Sequence, residues 1–405
     1  MTSQYPAAIY AELLSNIRQI SVVASLSAPA NPSTKADISN GGRQLNVTHQ
    51  GHTESITLPA QTSVAGVLPV AQTGRPNLSW RLPVLPAEAK PAQFSLENQA
   101  LPWTSVDIKT GSPVSCRNCG SEFVSQGAIN EWKDLPSENW AEMMEFWHCH
   151  KPHDHEHQDS ESLATKGYGA NHAISAQQGA GFVDLTSFLF TESDCRGLKY
   201  SSSTMDAGFD LSSLALEDDE SNTFLHVFCR KCATEVGLYN VAASSVTLFK
   251  WQITCQTKTP DPNPSSPECL AATLMATISR SGSSKSIITP HVLGSIKSGS
   301  AAARQNLHLW VLNPNVVYTA SSTTGCKTAM KILYKHIDSE EGDKLITSMT
   351  SDVQEITLPQ TAIRAAEECL LASSQLLPAQ ERAFKEWNVG LLGRWEPSSR
   401  EVNQK

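Results

Sequence analysis

The sequence predicts a mainly β protein with a few helices. Polar and apolar residues alternate along many short segments, glycine and proline punctuate these segments, and apolar residues at helical spacing are confined to a few regions. We therefore expect an α+β fold, in which a zinc-knuckle insertion interrupts a β-rich scaffold and the C-terminus is helical. The expected parts are a β-rich part over 1–112, the insertion with its W-x-C-H string over 113–235, and a β and helical part over 236–405.

Period-two alternation identifies the strands of the first part. It predicts strands at 43–50, 55–60 and 78–86, where apolar residues such as Leu45 and Val47 share one face. The prolines of this region suit edge strands and turns, because proline has no N–H to donate to a neighbouring strand.

The same pattern predicts most of the last part. Strands are expected within 245–256, 273–281, 306–321 and 329–337, and 181–190 is expected to be a strand or a short helix.

Between the last strands and the C-terminus the sequence favours other structures. The serine- and glycine-rich stretch 280–303 is expected to be a mobile connection. Pro359 is expected to open a helix over 361–377, and a second helix is expected to follow and to end near Asn388.

Composition excludes several functional classes. The chain has 405 residues, 40% of them hydrophobic, and a net charge of −9. An acidic chain without a basic run disfavours direct binding of nucleic acid, and no apolar run approaches the roughly 18 residues of a membrane span. The N-terminus lacks the pattern of a secretory signal. We therefore expect a soluble protein of the cytosol and nucleus, where cysteines stay reduced or bind metal.

Two Cys-x-x-Cys pairs are the strongest motif. They are Cys116 with Cys119, followed by Gly120, and Cys229 with Cys232. The two-residue gap lets both sulfurs reach one tetrahedral ion, and two such pairs make a four-thiolate structural zinc site. Because 109 residues separate the pairs, only the fold can bring them together. The alternatives are two unrelated thiol pairs or a redox dithiol.

A second region combines a helix with potential metal ligands. Residues 135–150 read as a helix capped by Ser137, with tryptophans and methionines at i, i+3, i+4 and i+7 that form one apolar face. A histidine-rich tract, 148–157, continues from its end. Its later histidines are expected to be a solvated tail, whereas Cys149 and His150 are positioned to join a metal site of this chain or of another protein.

Other catalytic motifs are absent from the sequence. There is no phosphate loop, dinucleotide fingerprint, G-x-S-x-G or H-E-x-x-H string, so hydrolase, kinase and dehydrogenase activities have no residue-level support. The remaining lone cysteines are expected to be small buried hydrophobic residues.

The string L-P-S-E-N-W…W-x-C-H over 135–150 resembles a known family, the HECT-like ubiquitin-conjugating-enzyme-binding proteins, which are described as ubiquitin ligases. The flanking cysteine pairs occur in the same order, and the C-terminal segment 367–392 is similar to the family's last helix and its terminal aromatic-x-V-G-x-L string. The resemblance spans most of the chain.

The resemblance implies a protein that binds ubiquitin-conjugating enzymes and accepts ubiquitin as a thioester, or promotes its transfer to substrates. It implies Cys369 as the thioester candidate. Acidic neighbours and burial would raise the pKa of this thiol, so a packed helix cysteine remains the alternative. The partner-binding residues implied are Leu135, Pro136, Glu138, Asn139, Trp140, Trp147, Cys149 and His150.

The resemblance also implies a second, non-enzymatic function. Members of the family are linked to the zinc endonuclease of the machinery that cleaves and polyadenylates mRNA precursors. The segment Trp147 to His150 would enter the nuclease, and Cys149 would bind its zinc, because thiolate outcompetes water for this ion. The protein would then be a chaperone or inhibitor. The breadth of the resemblance favours the ligase, and the residues themselves favour a binding protein.

Overall fold

A computed structural model describes residues 7–70, 76–85, 99–135, 176–201, 224–291, 305–348 and 350–397. The chain forms two compact units. Unit 1 comprises Met1–Gln99, Leu270–His291 and Ala301–Arg394, and unit 2 comprises Ala100–Cys269, Val292–Ser300 and Trp395–Lys405. The three-part division by sequence stays a prediction.

Strands dominate both units, as the sequence predicts. In chain order, the described residues form β1 (Ala7–Leu14), β2 (Gln19–Leu26), β3 (Lys35–Ser39), β4 (Gln44–His49), β5 (His52–Thr57), β6 (Gly66–Leu68), β7 (Asn77–Pro83), β8 (Val114–Cys116), β9 (Glu122–Val124), β10 (Glu131–Asp134), β11 (Ala180–Val183), β12 (Ser187–Thr191), β13 (Leu198–Ser201), β14 (Phe224–Cys229), β15 (Glu235–Asn240), β16 (Ser245–Phe249), β17 (Ile253–Cys255), β18 (Lys285–Pro290), β19 (Gln305–Ala320), β20 (Lys327–Asp338), β21 (Gln354–Leu358), β22 (Ala383–Phe384) and β23 (Trp387–Gly393). The helices are α1 (Ser266–Ser281), α2 (Ser339–Thr347) and α3 (Gln360–Ser374). None of the helices in the described ranges is long and apolar enough to cross a membrane.

The described residues of unit 1 form two sheets. The larger has the order β22-β23-β20-β19-β1-β2-β7, with β18 pairing both β19 and β21, and the smaller has the order β5-β4-β3-β6. Alternate residues of β1 and β2, including Ile9, Ile20 and Val22, are buried in one core with Leu45 and Val47 of β4. The period-two pattern read from the sequence is therefore the pattern of burial.

Helix α3 packs against β23 at a glycine. A Cβ added at Gly390 would lie 2.7 Å from the carbonyl oxygen of Leu370, so only glycine permits this approach. The buried residues of α3 include Ile363, Ala366 and Leu370, which confirms the helix predicted after Pro359.

Three local predictions are wrong. Residues 273–281 belong to helix α1 and not to a strand, because Ser265 and Glu268 form a capping box at its start. The predicted second C-terminal helix is replaced by a 3-10 turn and the hairpin β22–β23, in which Phe384 lies opposite Trp387. The predicted mobile connection contains β18, whose Ile287 and Ile288 are fully buried.

Unit 2 contains a seven-stranded sheet with the order β10-β11-β12-β16-β15-β14-β13 and a three-stranded sheet with the order β17-β8-β9. Aromatic residues fill its core. Trp103, Phe123, Phe188 and Phe190 are 0–1% exposed. Both Cys-x-x-Cys pairs lie beside this core, since Cys116 ends β8 and Cys229 ends β14.

A buried histidine in unit 1 makes stability depend on pH. His308 lies edge-on to Trp387 with ring centroids 4.8 Å apart, and neither of its ring nitrogens has a hydrogen-bond partner in the described residues. Burial, followed by the positive charge of Lys335, lowers the pKa of His308 to about 4. The unfolded chain therefore binds the proton first, and the stabilisation present above about pH 6.5 is lost as the pH falls toward 4.

We expect His308→Leu to flatten the decline in unfolding free energy between pH 6.5 and 4, measured by urea denaturation at each pH. The exposed His52 of β5 provides the control, because His52→Leu should leave the decline unchanged. Equal slopes for wild type and His308→Leu would contradict the assignment.

Candidate metal centre

The first cysteine pair occupies the turn between β8 and β9. The Cys116 amide donates to the carbonyl of Ser121 (2.8 Å), and the Gly120 amide donates back to the carbonyl of Cys116 (2.9 Å). Gly120 has a φ of 71°, in the left-handed region that glycine adopts without strain. The turn thus closes tightly around the two sulfurs.

The second pair occupies the turn between β14 and β15 and repeats this geometry. The Cys229 amide donates to the carbonyl of Thr234 (2.8 Å), and the Ala233 amide donates to the carbonyl of Cys229 (2.9 Å). Ala233 takes the place of Gly120 and has a φ of 56°. Here the left-handed conformation is held by a residue with a Cβ, at a cost of about 1–2 kcal/mol.

Ala233→Gly should therefore raise the free energy of unfolding by about 0.5–1 kcal/mol, because relief of this strain exceeds the added entropy of glycine in the unfolded chain. Urea denaturation of the full chain is the measurement. Ala243→Gly, in an exposed turn without a positive φ, is the matched control and should be destabilising. A loss of stability in Ala233→Gly as large as that of the control would show that the turn is not strained.

The four sulfurs meet in unit 2. The Sγ atoms of Cys116 and Cys232 are 3.7 Å apart, those of Cys119 and Cys229 are 3.6 Å apart, and all four lie within 4.8 Å of one another. Thiolates around a tetrahedral zinc ion at about 2.3 Å would be about 3.8 Å apart. The four cysteines can therefore hold one metal ion, and the alternative of two unrelated thiol pairs is wrong.

The environments of the four thiols differ. Burial raises the pKa of Cys116 to about 12. Burial also raises the pKa of Cys232, but the hydrogen bonds that its sulfur accepts from the Thr234 hydroxyl and amide and from neighbouring thiols outweigh this effect. The pKa of Cys232 is therefore lowered to about 6. Four thiolates this close together repel one another, so the ionised form is unfavourable unless a cation compensates their charge. A bound metal ion would supply that positive charge.

Hydrogen bonds hold the two knuckles in place. The Asn118 side-chain amide donates to the Thr234 hydroxyl (3.0 Å) and so links one knuckle to the other. The Arg117 guanidinium donates to the carbonyls of Lys250 (2.8 Å), Ile253 (3.2 Å) and Pro264 (2.8 Å). Arg117, which lies between the ligands Cys116 and Cys119, thus attaches the β8–β9 turn to the chain on both sides of β17.

Sequence reasoning missed these supporting residues. The position of Arg117 between the two cysteines of a pair could have marked it as a residue of the metal site. The carbonyls to which it donates are more than 130 residues away in sequence, so its partners could not be predicted. No sequence pattern marks Thr234 as a residue of the metal site. Their roles depend on the pairing of β17 with β8 and on the meeting of the two turns, which no local pattern encodes.

Most of the predicted partner-binding residues lie outside the described residues: Pro136, Glu138, Asn139, Trp140, Trp147, Cys149 and His150. Leu135 is described. Its amide donates to the carbonyl of Val183 (2.8 Å), so the chain is anchored to the sheet of unit 2 where this segment begins.

The remaining cysteines lie in different settings. Cys369 is half-buried in α3, next to Leu370, and Cys326 is exposed between β19 and β20. Burial raises the pKa of Cys195, Cys255 and Cys269 to about 12. These three thiols are therefore poor nucleophiles. Among the described cysteines outside the cluster, Cys195 and Cys255 are half-buried like Cys369, Cys269 is buried and Cys326 is exposed.

Comparison with known proteins identifies the class to which this β scaffold with its four-cysteine cluster belongs. The family described as "HECT-like Ubiquitin-conjugating enzyme (E2)-binding" matches residues 12–389, nearly the whole chain. The chain belongs to this family, as the resemblance in its motifs implied.

Two fungal relatives extend the comparison. The uncharacterized protein YJR141W of Saccharomyces cerevisiae is 24% identical over 289 residues, which are 71% of each chain. The uncharacterized protein C1734.10c of Schizosaccharomyces pombe is 41% identical over 64 residues, which are 15% of this chain and 18% of the relative. The names of these relatives assign no activity.

Proposed function

We propose that this protein binds ubiquitin-conjugating enzymes and promotes transfer of ubiquitin from them to substrate proteins. The observation that carries the proposal is the family match over residues 12–389. Ubiquitin-conjugating enzymes are thus its partners, and ubiquitin is the group that it helps to transfer. The cytosol and nucleus, where thiols stay reduced, are the compartments in which it acts.

The proposal includes one structural zinc ion, bound by Cys116, Cys119, Cys229 and Cys232. Four thiolates are the donor set of closed structural zinc sites, and they leave no open position for a reactant. In this function the zinc centre holds the fold of unit 2 and does not take part in ubiquitin transfer.

Transfer through a thioester would require an accessible thiolate of this chain. The Sγ attacks the thioester carbonyl of the charged conjugating enzyme, a new thioester forms as the old one breaks, and the conjugating enzyme regains its thiol. Cys369 is the candidate implied by the family resemblance, and the exposed Cys326 is its matched control.

A single-turnover discharge assay tests the proposal. We expect this protein to accelerate loss of ubiquitin from a charged conjugating enzyme by at least tenfold. A ubiquitin adduct that reductant removes, and that persists in Cys326→Ala but not in Cys369→Ala, would establish Cys369 as the thioester site. Acceleration without an adduct would indicate activation of the bound conjugating enzyme. Absence of both binding and acceleration across a panel of conjugating enzymes would refute the proposal.

A second candidate function is a chaperone or inhibitor of the mRNA 3'-end processing endonuclease. Anchoring of Leu135 to Val183 supports it, because the segment that would enter the nuclease then starts from a fixed point of unit 2. Cys149→Ala should weaken nuclease binding at least tenfold, whereas Cys326→Ala should not. Unchanged binding by Cys149→Ala in a pull-down with purified nuclease would count against this function.

A further inference from the structure

The two cysteine pairs are alike in sequence, but their arginines lie in different environments. Arg117 and Arg230 each follow the first cysteine of a pair. Their backbone amides donate to the carbonyls of Gln252 and Gly197, both at 2.9 Å. Arg117 is half-buried, whereas Arg230 is exposed, and in the described part of the chain the Arg230 guanidinium has one hydrogen bond, 3.5 Å to the carbonyl of Leu198. Matched positions in the two pairs therefore serve different purposes.

Backbone carbonyls surround the guanidinium of Arg117. Its Nη1 donates to the carbonyl of Pro264 (2.8 Å), its Nη2 donates to that of Lys250 (2.8 Å), and both Nε and Nη2 donate to that of Ile253 (3.2 Å). These contacts use most of the five N–H donors of a guanidinium, whose planar geometry fixes their directions. Because the acceptors are main-chain groups, a displacement of Arg117 is passed directly to the backbone of three residues.

One acceptor lies at the start of helix α1. Pro264 is buried and immediately precedes Ser265, which forms the capping box with Glu268. The Cys269 amide then donates to the carbonyl of Ser265 (3.0 Å). The hydrogen bond from Arg117 thus holds the residue next to the cap on which the first turn of α1 is built.

A second acceptor, Lys250, extends the network. Its carbonyl accepts from Arg117, while its Nζ donates to the carbonyls of Pro102 (2.6 Å) and Trp103 (3.0 Å). Lys250 is only 1% exposed, and a buried cation that loses such partners is costly. The three acceptors of Arg117 are therefore held from more than one side, and the β8–β9 turn is firmly connected to the start of α1.

We propose that Arg117 couples metal occupancy of the four-cysteine cluster to the order of the first turn of α1, a coupling that rests on the zinc site of the proposed function. With zinc bound, Cys116 and Cys119 are fixed, and Arg117 between them stays directed at its carbonyl acceptors. Without zinc the β8–β9 turn loosens, Pro264 loses its donor, and the first turn of α1 opens more often. Since coupling is reciprocal, the closed start of α1 favours zinc binding by the same factor.

Hydrogen exchange of the full chain, with zinc and after its removal by a chelator, tests the coupling. Removal of zinc should speed exchange of the Cys269 amide by a factor at least ten times that at Phe190, which lies in β12 paired with β16. In Arg117→Gln this ratio should fall below two, and zinc should bind at least fivefold more weakly in competition with a chromophoric chelator. Arg230→Gln is the matched control, since it removes the same charge from the same position of the other pair, and both values should stay within twofold of wild type.

The outcomes separate the coupling from the zinc site itself. Equal acceleration at Cys269 and Phe190 in the wild type would reveal a general loss of stability and overturn the coupling. An unchanged ratio in Arg117→Gln, or an equal loss in Arg230→Gln, would overturn it as well. A wild-type chain that binds no zinc would overturn the zinc site and the coupling together. The wild-type comparison involves no variant, so it decides the question even if Arg117→Gln folds poorly.

Discussion

Cys229→Ser is expected to abolish stoichiometric zinc binding and to lower the free energy of unfolding by at least about 4–5 kcal/mol. The side chain of Cys229 is fully buried, and its Sγ lies 3.6 Å from that of Cys119. Replacing it by serine removes one thiolate ligand of the metal site and buries a hydroxyl among sulfur atoms. Zinc per chain by mass spectrometry and urea denaturation are the two measurements. A chelator added to the wild-type protein should reproduce the loss of stability.

Cys255→Ser is the matched control for this prediction. Cys255 is a half-buried thiol of unit 2 that lies outside the four-cysteine cluster. It should retain one zinc per chain and lose much less stability. Retention of one zinc per chain and an unchanged urea midpoint in Cys229→Ser would exclude the cluster as the structural metal site. Loss of stability on oxidation, but not on chelation, would instead favour the redox dithiol.

Lys331→Met is expected to cost about 3–5 kcal/mol of unfolding free energy. Lys331 Nζ donates to Glu12 (2.9 Å) and to Glu381 (3.3 Å), and the Glu12 side chain is only 7% exposed. Without the ammonium, the Glu12 carboxylate stays buried with the Tyr10 hydroxyl as its remaining donor in the described structure. Removing one partner of a buried ion pair carries this cost because it leaves an uncompensated charge.

Urea denaturation of single and double variants measures the coupling between these groups. Glu12→Gln added to Lys331→Met should recover at least half of the lost stability, since it removes the unpaired charge. Lys344→Met is the control, because Lys344 pairs with Glu340 on α2 where both side chains are at least 72% exposed, and it should cost at most about 0.5 kcal/mol. A cost below 1 kcal/mol for Lys331→Met would show that the pair contributes little.

The sequence predicted the parts of the fold in which local pattern and final burial coincide. Leu45 and Val47 share a face in β4 and are both fully buried, and Ile363, Ala366 and Leu370 form the buried stripe of α3. The fold class, mainly β with a few helices, is confirmed for the same reason.

The failures have equally specific causes. The alternation in 273–281 resembled a strand, but the capping box at Ser265 starts a helix before it. Trp387 lies in a strand and not in a helix because the turn at Lys385, with a φ of 53°, sends the chain back along β22. In each case a short capping or turn signal outweighed the periodicity of the residues around it.

The sequence predicted the four cysteine ligands of the candidate site but not the residues that surround and position them. The two-residue spacing identifies all four cysteines, whereas the partners of Arg117 and Thr234 depend on distant strands. Lys250 is a further example. It is 1% exposed and donates to the carbonyls of Pro102 and Trp103, and no pattern in the sequence predicts a fully buried lysine held by carbonyls about 150 residues away.

The pairing of β1 with β19 also determines when the larger sheet of unit 1 can form during synthesis. Tyr10 lies opposite Ala320, so β1 must wait for 310 further residues before that edge is covered. At about 5–20 residues per second, this takes roughly 15–60 s. Throughout that interval the hairpin of β1 and β2 lacks the strand that pairs with β1 in the folded protein, so one edge of β1 stays without its main-chain hydrogen bonds until β19 has been synthesised.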